Sequence, residues 1–305
     1  MTRATLRLGT RRSALAMAQS GGVAATMIAV LGRDVELVEI TSEGDRNPAA
    51  LTQIGGTGVF VTALRDALLA GEVDLAVHSL KDLPTAAAAG VSLAAVPPRE
   101  DPRDALCHPG GLTLGELPSG SRVGTGSPRR TAQLLALGLG LEVVPVRGNV
   151  DTRLKKAVDG EVDAVVLARA GLARLDRLDA ISEVLDPIQV LPAPGQGALA
   201  VECRADDTEL VELLAALDDP ESRARVDAER SLLAELEAGC SAPVGALCDV
   251  ADDELYLRAT ALAPDGSDAV KQSLTGPLAD PAGLGRRLAA IMLEDGAAEL
   301  MRGVS

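Results

Sequence analysis

Short runs of β-branched residues alternate along this chain with longer stretches rich in alanine and leucine. Strands are predicted for seven of these runs, at 35–40, 74–79, 91–96, 121–126, 141–146, 163–168 and 198–203. Helices are predicted between them, most clearly at 13–31, 58–70, 129–137 and 151–159. Such alternation favours α/β units on largely parallel sheets, which bind ligands at the carboxyl ends of their strands.

Two segments rich in proline and glycine interrupt the alternation, at 97–102 and 191–197. Because they bracket a block of ordinary domain size, they predict a two-stranded hinge between two lobes, with the binding site in the cleft. A helix at 221–238 opens a small α+β unit. The predicted domains are 1–97 plus 198–216, 103–191, and 220–305.

The composition limits both the core and the partners. The formal net charge is −15, and aromatic residues make up 1% of the chain, so the core must be built from aliphatic side chains. A nucleic-acid partner is disfavoured, because the charge is wrong and the aromatics that stack on bases are missing. We find no signal peptide and no apolar run of about eighteen residues. The cysteines lack disulfide-scaffold or metal-site spacing, and His78 is interpreted as a structural strand residue. We therefore expect a soluble cytoplasmic protein with reduced thiols and no metal.

This acidic chain nevertheless keeps arginines in short motifs beside glycine, serine and asparagine. The motifs are L-G-T-R-R-S-A-L-A at 8–16, G-T-G-S-P-R-R at 124–130 and R-G-N-V-D-T-R-L at 147–154, each at a predicted strand-to-helix junction. Helix N-termini and guanidinium groups together suit a small anion with several carboxylates or phosphates. The alternative for each motif is a capped surface helix with ordinary arginines.

Two further motifs carry candidate reactive groups. V-H-S-L-K-D-L-P at 77–84 places Lys81 and Asp82 at a strand end, where Lys81 can bind a carboxylate and Asp82 can accept N–H bonds or stabilise a cation. A local ion pair is the alternative. Cys240, in the glycine-flanked loop E-A-G-C-S-A-P-V-G, can carry a covalent group, although a small buried hydrophobe is the commoner fate of a free cysteine. We interpret the other three cysteines as buried hydrophobes.

Taken together, the motifs resemble the porphobilinogen deaminase, or hydroxymethylbilane synthase, family over essentially the whole chain. The resemblance rests on these five motifs and on G-G-T-G-V-F, R-E-D-P-R-D, L-A-R-A-G-L-A-R-L and L-P-A-P-G-Q-G-A-L, in order. It implies two lobes similar to periplasmic binding proteins plus a small C-terminal α+β domain. It also implies a monomeric transferase of tetrapyrrole (haem) biosynthesis. That enzyme joins four porphobilinogen units head to tail with release of ammonia, without metal or nucleotide. The reaction is primed by a dipyrromethane cofactor held through a thioether to Cys240.

The resemblance also assigns roles to residues. It implies that Asp82 stabilises the cationic azafulvene formed when ammonia leaves and assists proton transfer. The residues implied to hold the cofactor are Lys81, Ser79, Thr125, Ser127, Arg129, Arg130 and Gln196. Those implied to hold substrate or the growing chain are Arg11, Ser13, Arg147, Arg153, Arg174 and Phe60. Thr57 departs from the lysine that many family members have, which puts any cationic role there in doubt.

The rival hypothesis is a non-catalytic small-anion binder with the same two-lobe architecture. It explains the arginine motifs, but it does not explain Asp82 beside Lys81 or Cys240 in its glycine-rich turn.

Overall fold

A computed structural model describes residues 5–41, 58–237 and 242–302, with backbone only at 58–60 and 302. In this part of the chain the strands are β1 Leu6–Thr10, β2 Val35–Glu39, β3 Leu75–Ser79, β4 Val91–Ala95, β5 Asp104–Cys107, β6 Arg122–Thr125, β7 Glu142–Pro145, β8 Ala164–Ala168, β9 Glu183–Val184, β10 Leu199–Arg204, β11 Val244–Ala251, β12 Glu254–Leu262 and β13 Ala269–Pro277. The α-helices are α1 Ala14–Leu31, α2 Gly58–Leu69, α3 Pro128–Ala136, α4 Val150–Val158, α5 Arg169–Arg174, α6 Thr208–Leu214, α7 Pro220–Glu235, α8 Pro281–Glu294 and α9 Ala297–Arg302.

These elements form two compact units. The first comprises residues 1–99 and 198–223, and the second comprises 100–197 and 224–305. The chain therefore leaves the first unit within the segment 97–102 and returns to it directly after 191–197. The sequence predicted three domains, and a division into two units does not test their boundaries, which stay predictions.

The first unit is built on a five-stranded sheet with the order β2-β1-β3-β10-β4. β1 pairs in parallel with β2 and β3, whereas β10 pairs antiparallel with β3 and β4. Four strands therefore run in one direction, and the strand that follows the 191–197 segment runs against them. Leu8, Leu75 and Val201 from three of these strands pack with Met27 of α1 in one buried cluster.

The second unit contains a sheet of the same design, with the order β7-β6-β8-β5-β9. β6 pairs in parallel with β7 and β8, and β5 pairs antiparallel with β8 and β9. Here the strand that follows the 97–102 segment is the reversed one. The sequence predicted largely parallel sheets. Each sheet is parallel except for one reversed strand, which is β10 in the first sheet and β5 in the second.

The same unit carries the C-terminal sheet, in which β11, β12 and β13 are antiparallel neighbours. One face of this sheet packs on α7 and α8, where Leu257 meets Leu232 and Leu288 in an aliphatic core. The predicted α/β fold with a small C-terminal α+β region is confirmed. The largest fully buried side chains in the described residues are leucines and Met27, as the scarcity of aromatics requires.

Helix α1 differs from the sequence-based expectation that no segment is long and apolar enough to cross a membrane. Its 18 residues have a mean hydropathy of 1.6 and carry no charge, so it passes that test by length and composition. Its buried face, with Val23 and Met27, packs on the first sheet. Length and composition alone do not distinguish a membrane span from such a helix, and this helix contacts β1, β2 and β3.

Candidate functional site

In the first unit, a cleft opens where β1 and β3 end. The two strands are parallel neighbours, so their carboxyl ends meet at one edge of the sheet. The polar residues that line the cleft are Arg11, Ser13, Gln19, His78, Ser79 and Asp82. The structure therefore brings four of the predicted site residues, Arg11, Ser13, Ser79 and Asp82, to one place.

Hydrogen bonds between α1 and the neighbouring strands order this edge. Ser13 caps α1 by accepting from the Ala16 N–H at 3.2 Å, as the motif predicted. One turn further on, the Gln19 amide donates to Ser79 Oγ at 2.8 Å, and the buried Ser20 hydroxyl donates to Thr10 Oγ1 at 2.8 Å. Because these groups are satisfied by one another, the helix N-terminus and the strand ends are held in register.

Asp82 reaches the cleft through a short 3₁₀-helix, Leu80–Asp82, that follows β3 directly. Leu80 is fully buried, and its N–H donates to the Ala198 carbonyl at 3.0 Å. Lys81 and Asp82 follow this anchor, and both are half-buried. Asp82 lines the cleft, whereas Lys81 is not among its lining residues.

A buried ion-pair cluster underlies this cleft. Glu202 of β10 receives two hydrogen bonds from Arg65, at 2.6 and 3.0 Å, and lies 3.2 Å from His78 Nε2. Burial opposes ionisation of Glu202, but His78 and Arg65 outweigh it and lower the pKa of its carboxyl to about 2. His78 thus pairs with a buried carboxylate of its own sheet, and its interpretation as a structural strand residue stays a prediction. Arg65 and Glu202 were not predicted, since they lie far apart in the sequence.

In the second unit, the N-terminus of α3 forms a cationic site at the end of β6. Ser127 accepts from the Arg130 N–H at 3.4 Å and caps the helix, with Pro128 in the first turn. Thr125 is buried, and its Oγ1 accepts from the Ser127 N–H at 3.2 Å. The loop requires glycine at 126, because a Cβ there would lie 2.8 Å from the Val146 carbonyl oxygen.

Arg129 and Arg130 are only 3% and 5% exposed and share one carboxylate. Asp104, at the start of β5, accepts from Arg129 at 2.8 Å and from Arg130 at 2.7 Å. Burial opposes its ionisation, but the two guanidinium groups outweigh burial and hold its pKa well below the ordinary value. Sequence reasoning had the motif R-E-D-P-R-D but did not single out Asp104.

Gln196 completes this cluster from the 191–197 segment. Its amide nitrogen lies 2.7 Å from both the Asp104 carboxylate and the Pro102 carbonyl, and its oxygen lies 3.5 Å from Arg130. Gln196 therefore fixes the carboxylate that the two arginines share.

The remaining predicted arginines of this unit differ in exposure. Arg153 is half-buried, and burial together with the nearby charge of Arg130 lowers its pKa. Its Nε donates to the Gly148 carbonyl at 2.8 Å. Arg147 is exposed, whereas Arg174 donates to the Gly197 carbonyl at 2.7 Å and burial lowers its pKa. Arg129, Arg130 and Arg153 against the single Asp104 leave a local excess of two positive charges, which suits a polyanion.

The side chains of three residues that the sequence singled out are not described by the structure. Cys240 and Thr57 lie outside the described residues, and of Phe60 only the backbone in the first turn of α2 is described. Cys107, Cys203 and Cys248 are buried, as predicted. Burial raises the thiol pKa of Cys107 to about 12 and that of Cys203 to about 11. Within the described ranges no group of three or more His, Cys, Asp or Glu side chains is placed to hold a metal.

Comparison of the whole chain with solved structures finds similarity to solute-binding proteins. A methionine-binding protein, MetQ, matches with a TM-score of 0.42 and 15% identity over 70% of this chain and 89% of that protein. A periplasmic substrate-binding protein of an ABC transporter from Coxiella burnetii matches with a TM-score of 0.43 and 14% identity, over 72% and 94%.

Comparison of sequences finds much nearer relatives. A family model described as porphobilinogen deaminase, dipyromethane cofactor binding domain, matches residues 6–212, and one described as porphobilinogen deaminase, C-terminal domain, matches 223–294. Porphobilinogen deaminase 1 of Streptomyces coelicolor is 59% identical over 99% of this chain and 98% of its own length. Porphobilinogen deaminase of Mycobacterium tuberculosis is 57% identical over 98% and 99%. The chain therefore belongs to the porphobilinogen deaminase family.

Proposed function

We propose that this chain is a hydroxymethylbilane synthase, which joins four porphobilinogen units head to tail and releases one ammonia at each step. Porphobilinogen carries two carboxylates and a pyrrole N–H, and its side-chain ammonium leaves as ammonia. The enzyme must therefore bind carboxylates, accept a hydrogen bond from the N–H and stabilise a developing cation. The observation that carries the proposal is the cleft at the ends of β1 and β3, where Asp82 lies with Arg11 and Ser13.

Asp82 is the proposed catalytic residue. A carboxylate in this cleft can accept the pyrrole N–H and stabilise the positive charge that remains on the substrate when ammonia leaves. Arg11 and the capped N-terminus of α1 supply donors for a substrate carboxylate. Ser79 is held by Gln19 at the same edge.

The dipyrromethane cofactor fits the chemistry of the second unit. It is a polyanion, and the cluster of Arg129, Arg130 and Arg153 has an excess of two positive charges over Asp104. We propose that Arg129 and Arg130, with Ser127, Thr125 and Gln196, hold its carboxylates, and that Cys240 is its attachment point. Lys81 and Ser79, which belong to the first unit, are also proposed to bind the cofactor. When bound, the cofactor supplies the free pyrrole carbon to which the first substrate is joined. Arg147, Arg153, Arg174 and Phe60 are proposed to contact substrate or the growing chain.

Two further properties remain predictions. A monomeric state and a cytoplasmic location are expected, and the free, buried thiols of Cys107 and Cys203 agree with a reducing compartment.

Replacement of Asp82 by asparagine tests the proposal. Asp82→Asn keeps the shape of the side chain but removes its charge, so turnover of porphobilinogen should fall by at least about 100-fold. Ammonia release is the readout, and circular dichroism checks the fold. Asp66→Asn, an exposed aspartate of α2 in the same unit, is the matched control and should retain parental turnover. Parental turnover in Asp82→Asn would contradict the assigned role.

A further inference from the structure

The outer face of the C-terminal sheet borders a cavity that the proposed reaction does not use. Its volume is about 340 Å³, within the range of about 300–1,000 Å³ that small-molecule sites occupy. The side chains at 255, 257, 259 and 261 point into the core with α8, so those at 256, 258, 260 and 262 face the opposite way. The facing wall is α3 together with residues 187–191, within the same compact unit.

The polar wall of this cavity carries a positive charge. Lys271 lies directly opposite Thr260, and Ser273 opposite Arg258, in the register of β12 and β13. Arg258 is neutralised by Asp249, at 2.8 Å, but Lys271 is exposed and its side-chain ammonium has no hydrogen bond or ion pair with another described residue. One uncompensated ammonium therefore faces the cavity of a protein whose formal net charge is −15.

Thr260 adds a buried donor beside this lysine. The residue is 4% exposed, and its Oγ1 has no hydrogen-bond partner among the described residues. Its methyl carbon lies toward Gly245 of β11, 3.3 Å from where a Cβ on that glycine would be. A buried hydroxyl without a partner costs folding free energy, so an acceptor at this position is favoured. Thr260 and Lys271 together can donate to one carboxylate.

Apolar surface forms the rest of the lining. Leu137, the C-cap residue of α3, and Leu262 of β12 contribute, and Ile188 is 83% exposed beside them. Tyr256, at 41% exposure, also lines the cavity, and the Arg258 guanidinium lies 5.7 Å from its ring centroid. An aliphatic wall with one aromatic ring suits a compact ring system.

We propose that this cavity binds a small organic anion in which one carboxylate is attached to an apolar ring. The carboxylate accepts from Lys271 Nζ and Thr260 Oγ1, and the ring packs between Ile188, Leu137 and Tyr256. None of these residues belongs to the proposed catalytic or cofactor-binding groups, so the site is separate from the one that Asp82 serves.

Tyrosine fluorescence gives a site-specific test, because the chain has one tyrosine and no tryptophan. The purified full-length holoenzyme is titrated with cyclohexanecarboxylate, which is transparent where tyrosine absorbs. We expect a saturable change in Tyr256 emission. Cyclohexanecarboxamide, the neutral analogue of the same shape, should give no saturable change.

Two variants locate the carboxylate. Lys271→Gln and Thr260→Val should each weaken binding, the first by at least about fivefold. Lys155→Gln makes the same charge change on an exposed face of α4 and should leave the affinity unchanged. A response absent from the holoenzyme, a response equal for the amide, or an affinity unchanged in Lys271→Gln or Thr260→Val overturns the proposal. Binding only at the proposed substrate-binding and cofactor-binding arginines would leave the affinity unchanged in both variants.

Discussion

At the scale of single residues, the second unit depends on one buried carboxylate. Asp104 is fully buried and pairs with both Arg129 and Arg130, which would otherwise be two buried cations side by side. A buried cation without its partner is strongly destabilising, whereas an exposed ion pair contributes little. The arginines of the most specific motif are therefore structural as well as candidate ligands.

Asp104→Asn should destabilise the protein by about 3–5 kcal/mol, because it leaves both arginines without an anionic partner. Urea unfolding at neutral pH measures this change. Asp159→Asn breaks the exposed pair between Lys155 and Asp159 and should cost less than about 1 kcal/mol. An equal loss of unfolding free energy in the two variants would show that the buried ion pairs stabilise the protein no more than the exposed one.

Glu202 predicts a pH dependence of the first unit. Its folded-state pKa of about 2 lies below the ordinary value of 4.5, so its ionisation stabilises the fold above about pH 4.5. That contribution, of order 3 kcal/mol, is lost as the pH falls toward 2. Glu202→Gln should be less stable than the parent at pH 7, and its stability should fall less steeply between about pH 5 and 3. Urea unfolding across this range measures both slopes, and parallel slopes would contradict the assignment.

These residues also mark the limit of sequence reasoning. The arginines stand out because they repeat beside glycine and serine at strand ends, which is a local pattern. Asp104 lies 25 positions before Arg129, and Glu202 lies 137 positions after Arg65. Such partners are brought together only by sheet order, so no local pattern identifies them.

At the scale of elements, the 191–197 segment is fixed by contacts within its unit. The buried carboxylate of Glu229 on α7 accepts from the Gly195 N–H at 2.7 Å and from the Cys248 N–H at 2.9 Å. Gly197 has a φ of 88°, and a Cβ there would collide with the Glu100 carbonyl oxygen. The segment is thus tied both to the C-terminal sheet and to the residues just before β5.

Gly197→Ala should lower the free energy of unfolding by about 3 kcal/mol or more. The new side chain would stand on a left-handed backbone conformation, and its Cβ would also collide with a carbonyl oxygen. Gly120→Ala is the matched control. Its φ of 86° is nearly the same, but a Cβ there meets no atom within 4 Å, so the cost should be about 1–2 kcal/mol. Comparison of the two urea midpoints tests the difference. Equal midpoints would show that the collision with the Glu100 carbonyl oxygen does not destabilise the protein.

The sequence predicted most elements of the first two sheets, because their strands are β-branched runs between helical stretches. It did not predict β5, whose four residues D-A-L-C carry no β-branched side chain. The short helices α5 and α6 were also missed, since six or seven residues give too few turns for a helical period to show.

At the scale of the whole molecule, alternation of strands and helices was enough to predict the fold class. The reversed strand in each sheet was not predicted, because its direction depends on which sheet the chain joins after each Pro/Gly segment. Recognition of nine ordered motifs predicted the family, which the full-length relatives confirm. The residue roles stay proposals, and Cys240 is the one on which the proposed chemistry depends most.

The most direct test of that chemistry is the intact mass of the purified protein beside a Cys240→Ser variant. We expect a covalent increment equal to two porphobilinogen-derived pyrrole units on the parent and none on the variant. An increment that persists in Cys240→Ser would place the attachment elsewhere. A parent that carries no increment, and forms neither adduct nor ammonia with porphobilinogen, would contradict the account and favour a non-catalytic anion binder.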